Sequence, residues 1–204
     1  MRTPHDTLTL LDWKRRIFDL YRQVRAHDDP RAAWELWRAT RDAMFATHEQ
    51  SPLPPERRKA MKAIPYFDYD PAMRFEVELV DADPERYDIA SSRDWTYSFT
   101  RFARAPLALP GGDIELEVYW LEAYGGGVFV PFRDATSGKT TYGAGRYVLD
   151  TVKGSDLGEI DGKLVLDFNF AYNPSCSYDP CWDCPLAPPP NWLKVPVEAG
   201  ERYP

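Results

Sequence analysis

The stretch Leu109-Pro110-Gly111-Gly112-Asp113-Ile114-Glu115-Leu116-Glu117-Val118-Tyr119-Trp120 decides the fold class. Its first half is a turn signal, because proline presets φ and two glycines accept the angles of a tight chain reversal. In its second half Ile114, Leu116, Val118 and Trp120 alternate with Glu115, Glu117 and Tyr119. Successive side chains of a strand point to opposite faces, so this period of two predicts a strand with one buried and one wet face. Glu115 and Glu117 are expected on the solvated side.

The same period recurs upstream. Phe75, Val77 and Leu79 alternate with Arg74, Glu76 and Glu78, and Trp95, Tyr97 and Phe99 alternate with Thr96, Ser98 and Thr100. Downstream, Gly125-Gly126-Gly127 breaks the chain before Val128-Phe129-Val130. That run, and Leu164-Val165-Leu166, are continuously apolar, as strands buried on both faces are. About seven strands follow from these signals. The fold class is mainly β with an α-helical N-terminal part, the antiparallel sheet curled into a barrel or sandwich and covered by the helices.

Residues 7–62 carry a helical period instead. Thr9 followed by Asp12 has the form of a capping box, and Leu10, Trp13, Ile17, Leu20 and Val24 then recur at intervals of three and four. Asp29-Pro30 predicts a second helix, with Asp as N-cap and Pro at the first helical position. Trp34, Trp37, Met44 and Phe45 line its apolar side, and it should end near His48. Ser51-Pro52-Leu53-Pro54-Pro55 is a stiff connector to a short basic helix, Glu56 to Lys62. The connector is too short and apolar for a free linker, so residues 1–204 are expected to form a single domain, with 7–62 packed on a β-domain at 66–204.

Composition narrows the function. The chain has 204 residues, 25 Lys and Arg against 32 Asp and Glu, and a net charge of −7. Nucleic acid and anionic lipid both demand clustered positive charge, so neither is an expected partner. No apolar run approaches the roughly 20 residues of a membrane span. Met1-Arg2-Thr3-Pro4-His5-Asp6 lacks an apolar signal core, and a cytoplasmic location is expected.

Familiar motifs fail on inspection. Ser137-Gly138-Lys139-Thr140 ends like a phosphate loop, but the required earlier glycine is Arg133 and Gly143 and Gly145 would break the helix that must follow. A turn between strands is the better reading. Cys176, Cys181 and Cys184 have the spacing of three iron–sulfur ligands without a fourth. His5, His27 and His48 all lie in the helical half, so no metal site is expected. The cysteines read as a loop clip, either a Cys176–Cys184 disulfide or buried thiols.

Two dense polar segments remain, 132–147 and 167–174. In the second, Asp167, Asn169, Ala171 and Asn173 share one face if the segment is a strand. An inward-facing polar set must be paired, and Arg146 is the evident cation, its planar fork suited to Asp134, Asp167 or a ligand carboxylate. The candidate site is therefore Arg146, Thr136, Thr141, Tyr142, Asn169, Tyr172 and Asn173 around the ligand, with Asp134 or Asp167 as general base. The competing explanation is a buried Arg–Asp network that fixes strand register.

These segments also carry a resemblance. Phe132-x-Asp134-x-Thr136-x-Gly138-x-x-Thr141-Tyr142-x-x-Gly145-Arg146-Tyr147, then Asp167-Phe168-Asn169-x-Ala171-Tyr172-Asn173-Pro174-x-Cys176, then Cys184-Pro185, Asn191-x-Leu193 and Ala199-Gly200-Glu201 resemble the signature of bacterial domain-of-unknown-function family 1684. The likeness spans about residues 66–202 and matches Cys176 and Cys184, but not Cys181. It implies that the polar segments are a shared feature of related chains and supplies no activity. The expectation is a β-barrel that binds a small, anionic molecule, with enzymatic activity and cofactor left open. The alternative is a non-enzymatic interaction module, docking through its aromatic surface and Pro-rich tail (Pro185 to Pro196); a homodimer is compatible with either.

Overall fold

The computed structural model describes residues 3–203. Thr3, rather than Thr9, opens the first helix, α1 (Pro4–Arg25). The Thr3 hydroxyl accepts from the Asp6 amide while the Asp6 carboxylate accepts from the Thr3 amide, so the capping box exists six residues earlier than expected. Helix α2 (Pro30–Thr47) starts as expected, Asp29 Oδ1 accepting from the Arg31 amide at 2.9 Å, and ends at His48. Helix α3 (Pro55–Ala60) follows the connector. Among the described residues no helix is long and apolar enough to cross a membrane.

The remaining elements are β1 (Arg74–Val77), β2 (Val80–Ala90), β3 (Thr96–Leu109), β4 (Gly112–Leu121), β5 (Val128–Phe132), β6 (Arg146–Asp150), β7 (Glu159–Ile160) and β8 (Lys163–Asp167). They build two antiparallel sheets, β2-β3-β4-β5-β6 and β1-β8-β7. Leu109 pairs with Gly112 across the predicted hairpin, and Gly112 takes φ +131°, which excludes most other residues. No barrel closes. The outer edge of β6 is taken by Tyr172, whose N–H and C=O exchange hydrogen bonds with Tyr147 at 3.1 and 3.0 Å, so β2 and β6 stay separate edges.

One core unites both sheets: Val77 and Leu166 of the small sheet meet Ala105, Leu116, Val118 and Phe132 of the large one. Each fully buried Leu there contributes roughly 1.5–3 kcal/mol. The opposite face of the large sheet is also covered, by Ile89, Phe99, Tyr119, Phe129 and Tyr147. This second layer corrects the reading of β4. Glu117 is buried, its carboxylate held by Arg101 at 2.6 Å and by the Tyr119 hydroxyl at 2.8 Å. Trp120 and Trp95, expected on buried faces, are 43% and 71% exposed.

The helices dock through Trp34, whose indole N–H donates to the Asn169 carbonyl at 2.9 Å, and through Tyr21, Trp37 and Phe170 in a shared cluster. The Pro-rich stretch is stitched down rather than projecting. Asn191 Nδ2 donates to the carbonyls of Glu117 (3.0 Å) and Pro131 (2.8 Å).

Candidate functional site

The structure divides the sequence-predicted site into separate groups. Arg146 is 1% exposed and saturated by the chain itself. Its guanidinium donates to the carbonyls of Val197 (2.8 Å), Glu201 (3.3 Å) and Ala199, and to Asp134 Oδ2 at 3.3 Å. Burial pulls it down to about 10, still charged at neutral pH. Asp134 is filled in turn by the Val197 amide (2.6 Å) and by the hydroxyls of Thr136 and Ser137, and Thr136 bonds Thr141 at 2.8 Å. This is a register-fixing network between the loop after β5 and the C-terminal strand-like segment. The shared hollow expected for Arg146 and the 167–173 segment does not form.

Asp167 and Asn169 belong elsewhere, because the predicted strand 167–173 gives way to a 3-10 turn at Phe168–Phe170. Alternation fails there: Phe168 enters the sheet core and Phe170 the helix cluster. The Asn169 side-chain amide accepts from the Asp70 N–H at 2.9 Å and donates to the Asp70 carbonyl at 2.8 Å, and Asp167 Oδ1 accepts from the Asn169 amide and side chain. Tyr142 faces Cys176, its hydroxyl 3.8 Å from the sulfur.

Tyr172 and Asn173 do line a cavity, one of 370 Å³ between α1, α2 and the 172–184 loop. Its walls include Trp13, Tyr21, Trp37, Phe45, Tyr178 and Trp182. The floor holds Arg41, stacked 4.7 Å from the Trp37 ring and 5.4 Å from Tyr172, and bonded to Tyr66 and Glu201. Lys14 and Lys153 also line it. Three residues of one wall each carry a buried polar atom without a hydrogen-bond partner among the described residues: Asn173 Oδ1, Tyr178 Oη and Asp183 Oδ2. Buried polar atoms are normally paired, so three unpaired ones on the residues of one cavity wall stand out.

Residues 59–202 match the family described as "Protein of unknown function (DUF1684)". The chain belongs to the DUF1684 family. It is similar to an uncharacterized protein of Haloarcula marismortui solved by solution NMR, with 37% sequence identity and a TM-score of 0.57, covering 82% of this chain and 91% of that one. No curated protein matches it. The family match begins within α3, so the DUF1684 region supplies the loop wall of the cavity while α1 and α2 supply the opposite one.

Sequence reasoning missed Arg41, Lys14 and Tyr21. One signal was available: Trp37, Arg41 and Phe45 are spaced by four, which puts a charge in the middle of an apolar stripe. The three cysteines are free thiols. Cys184 donates to Cys176, and this bond draws the Cys176 thiol down and pushes Cys184 up.

Proposed function

We propose that this DUF1684 protein binds a small molecule with an aromatic body, an anionic group and a hydrogen-bond donor in the cavity between α1, α2 and the 172–184 loop. One observation carries the reading: seven aromatic side chains line a space whose 172–184 wall includes three residues that each carry a buried, unsatisfied polar atom. The rings favour a flat apolar body. Lys14 and Lys153, both on the lining, would meet the anion. Asn173 Oδ1 and Asp183 Oδ2 accept only, so they call for an N–H or O–H on the guest. At 370 Å³ the cavity is near the lower end of ligand sites, roughly 300–1,000 Å³, which suits a one- or two-ring molecule.

Calorimetric titration with 6-hydroxy-2-naphthoate tests the reading. Saturable binding is expected, weakened at least tenfold in 2-naphthol, which lacks the carboxylate, and in the double variant Lys14→Glu/Lys153→Glu. Equal affinity for the acid and the naphthol, or no saturable heat, defeats it. The interaction-module alternative would rest on exposed Trp95, Trp120 and Tyr124, since the Pro-rich stretch is engaged internally.

A further inference from the structure

We infer a second ligand site, independent of the first: the cavity between the α1–α2 turn and the β7–β8 hairpin takes the ammonium group of a small primary amine, held by Asp167. The cavity measures 260 Å³, below the usual range for drug-sized ligands, so the guest is short. Asp167 lines it and is 1% exposed. Its Oδ1 accepts twice from Asn169, whereas its Oδ2 is buried with no partner among the described residues. A buried carboxylate oxygen without a donor is costly, and an ammonium N–H is the donor that also supplies charge.

The surrounding charges point to a cation. The two arginines on the lining make their hydrogen bonds elsewhere, although Arg74 stands opposite Asp167 in the β1–β8 register. Arg74 donates to Glu76 at 3.0 Å, and Arg25 donates to the Asp156 carbonyl at 2.6 Å. His27 Nδ1 accepts from the Asp29 amide. Among the described residues no basic side chain lies within ion-pair distance of Asp167, or of Asp28 and Glu159 at the exposed mouth. A metal ion is disfavoured by the donor set, since among the described residues no three His, Cys, Asp or Glu converge to hold one. The other walls, Val24, Ala33, Leu157, Ile160 and Phe170, are apolar and suit an alkyl chain behind the ammonium. Burial raises the Asp167 carboxyl to about 6, so at pH 7.5 it is ionised and ready to pair.

The test uses the full chain at pH 7.5, titrated calorimetrically with n-hexylammonium, hexyltrimethylammonium and 1-hexanol. Saturable binding of the primary ammonium is expected, with the quaternary ion, which has no N–H, and the neutral alcohol each at least tenfold weaker. Asp167→Asn should lose at least tenfold while its thermal midpoint stays at or above that of the wild type, which separates lost recognition from lost folding. Glu159→Lys, a surface change at the mouth, should weaken binding several-fold. Absence of saturable binding, equal binding of ammonium and alcohol, or full affinity in Asp167→Asn overturns the inference. Because the naphthoate cavity shares none of these residues, its failure would leave this result untouched, and the reverse holds.

Discussion

Arg41 and Glu201 lie 160 residues apart and form a buried ion pair, both Nη1 and Nη2 standing 3.1 Å from Oε2. The same carboxylate accepts from the Asn173 amide and side chain, each at 3.1 Å. Meanwhile the Glu201 main-chain carbonyl accepts from Arg146. One residue therefore ties α2, the 172–174 loop and β6 together, and it sets the floor of the aromatic cavity.

Glu201→Ala should cost about 3–5 kcal/mol, the penalty for leaving a buried charge without its partner. Urea unfolding monitored by tryptophan fluorescence reads it. Burial raises the Glu201 carboxyl, so the pair is held against a desolvation cost, and the double variant Arg41→Met/Glu201→Leu should recover part of the loss. A single variant as stable as wild type would show that the pair contributes nothing.

Arg146→Leu should destabilise by a similar amount, about 3–5 kcal/mol, and leave naphthoate affinity within twofold at temperatures where the variant is folded. The guanidinium donates to three carbonyls and Asp134, and leucine strands all four acceptors. Arg146→Lys should rescue little, because one ammonium cannot span a planar fork of acceptors. Loss of binding with an unchanged urea midpoint would return the site to Arg146.

The hairpin within Pro110-Gly111-Gly112-Asp113, the Asp29-Pro30 helix start and Arg146 as the buried cation were legible because each depends on neighbours in sequence or on a charge with few partners to choose from. The sequence leaves open which of Asp134, Asp167 or a ligand Arg146 meets, and the structure gives Asp134. The binding cavity was not. Arg41 acquires its setting from Tyr66, Tyr172 and Glu201, residues 25 to 160 positions away. The 167–173 segment misled for a local reason: Asp167 caps a 3-10 turn by accepting from the Asn169 amide, and an Asx cap overrides strand alternation. Glu117 misled for a global one, since the second layer that buries it is assembled from five strands.

Asp167 sets a pH dependence whose sign follows from its position. Burial outweighs the Asn169 hydrogen bonds and the Arg74 charge, raising the carboxyl from 3.8 to about 6. The folded chain thus binds this proton more tightly than the unfolded one, and stability falls as pH rises through the window from about 4 to 6. Below it the penalty is absent; above it the penalty is complete, on the order of 3 kcal/mol. Asp167→Asn keeps the Oδ1 acceptor and removes the charge, so its stability relative to wild type should grow across that window and level off above pH 6. Urea midpoints of both proteins from pH 4 to 8, without added amine, check this. A constant difference between them would place the Asp167 carboxyl at its ordinary value.

Cys176 should be the thiol that reacts first, although Cys181 is more exposed. The Cys184 thiol donates to the Cys176 sulfur, assisted by Ser92 and by the Tyr142 hydroxyl, and the thiolate is stabilised against a smaller burial penalty. Burial and the Asp179 carboxylate push Cys181 the other way. Reactivity tracks the thiolate fraction. Iodoacetamide at pH 7 followed by peptide mass mapping should therefore label Cys176 ahead of Cys181. Cys184→Ala removes the largest stabilising contact, so the pH at which Cys176 labelling reaches half its maximal rate should move up toward the ordinary thiol value of 9.0. Prior labelling of Cys181, with a Cys176 profile that Cys184→Ala leaves in place, would mean that the two sulfurs share no proton.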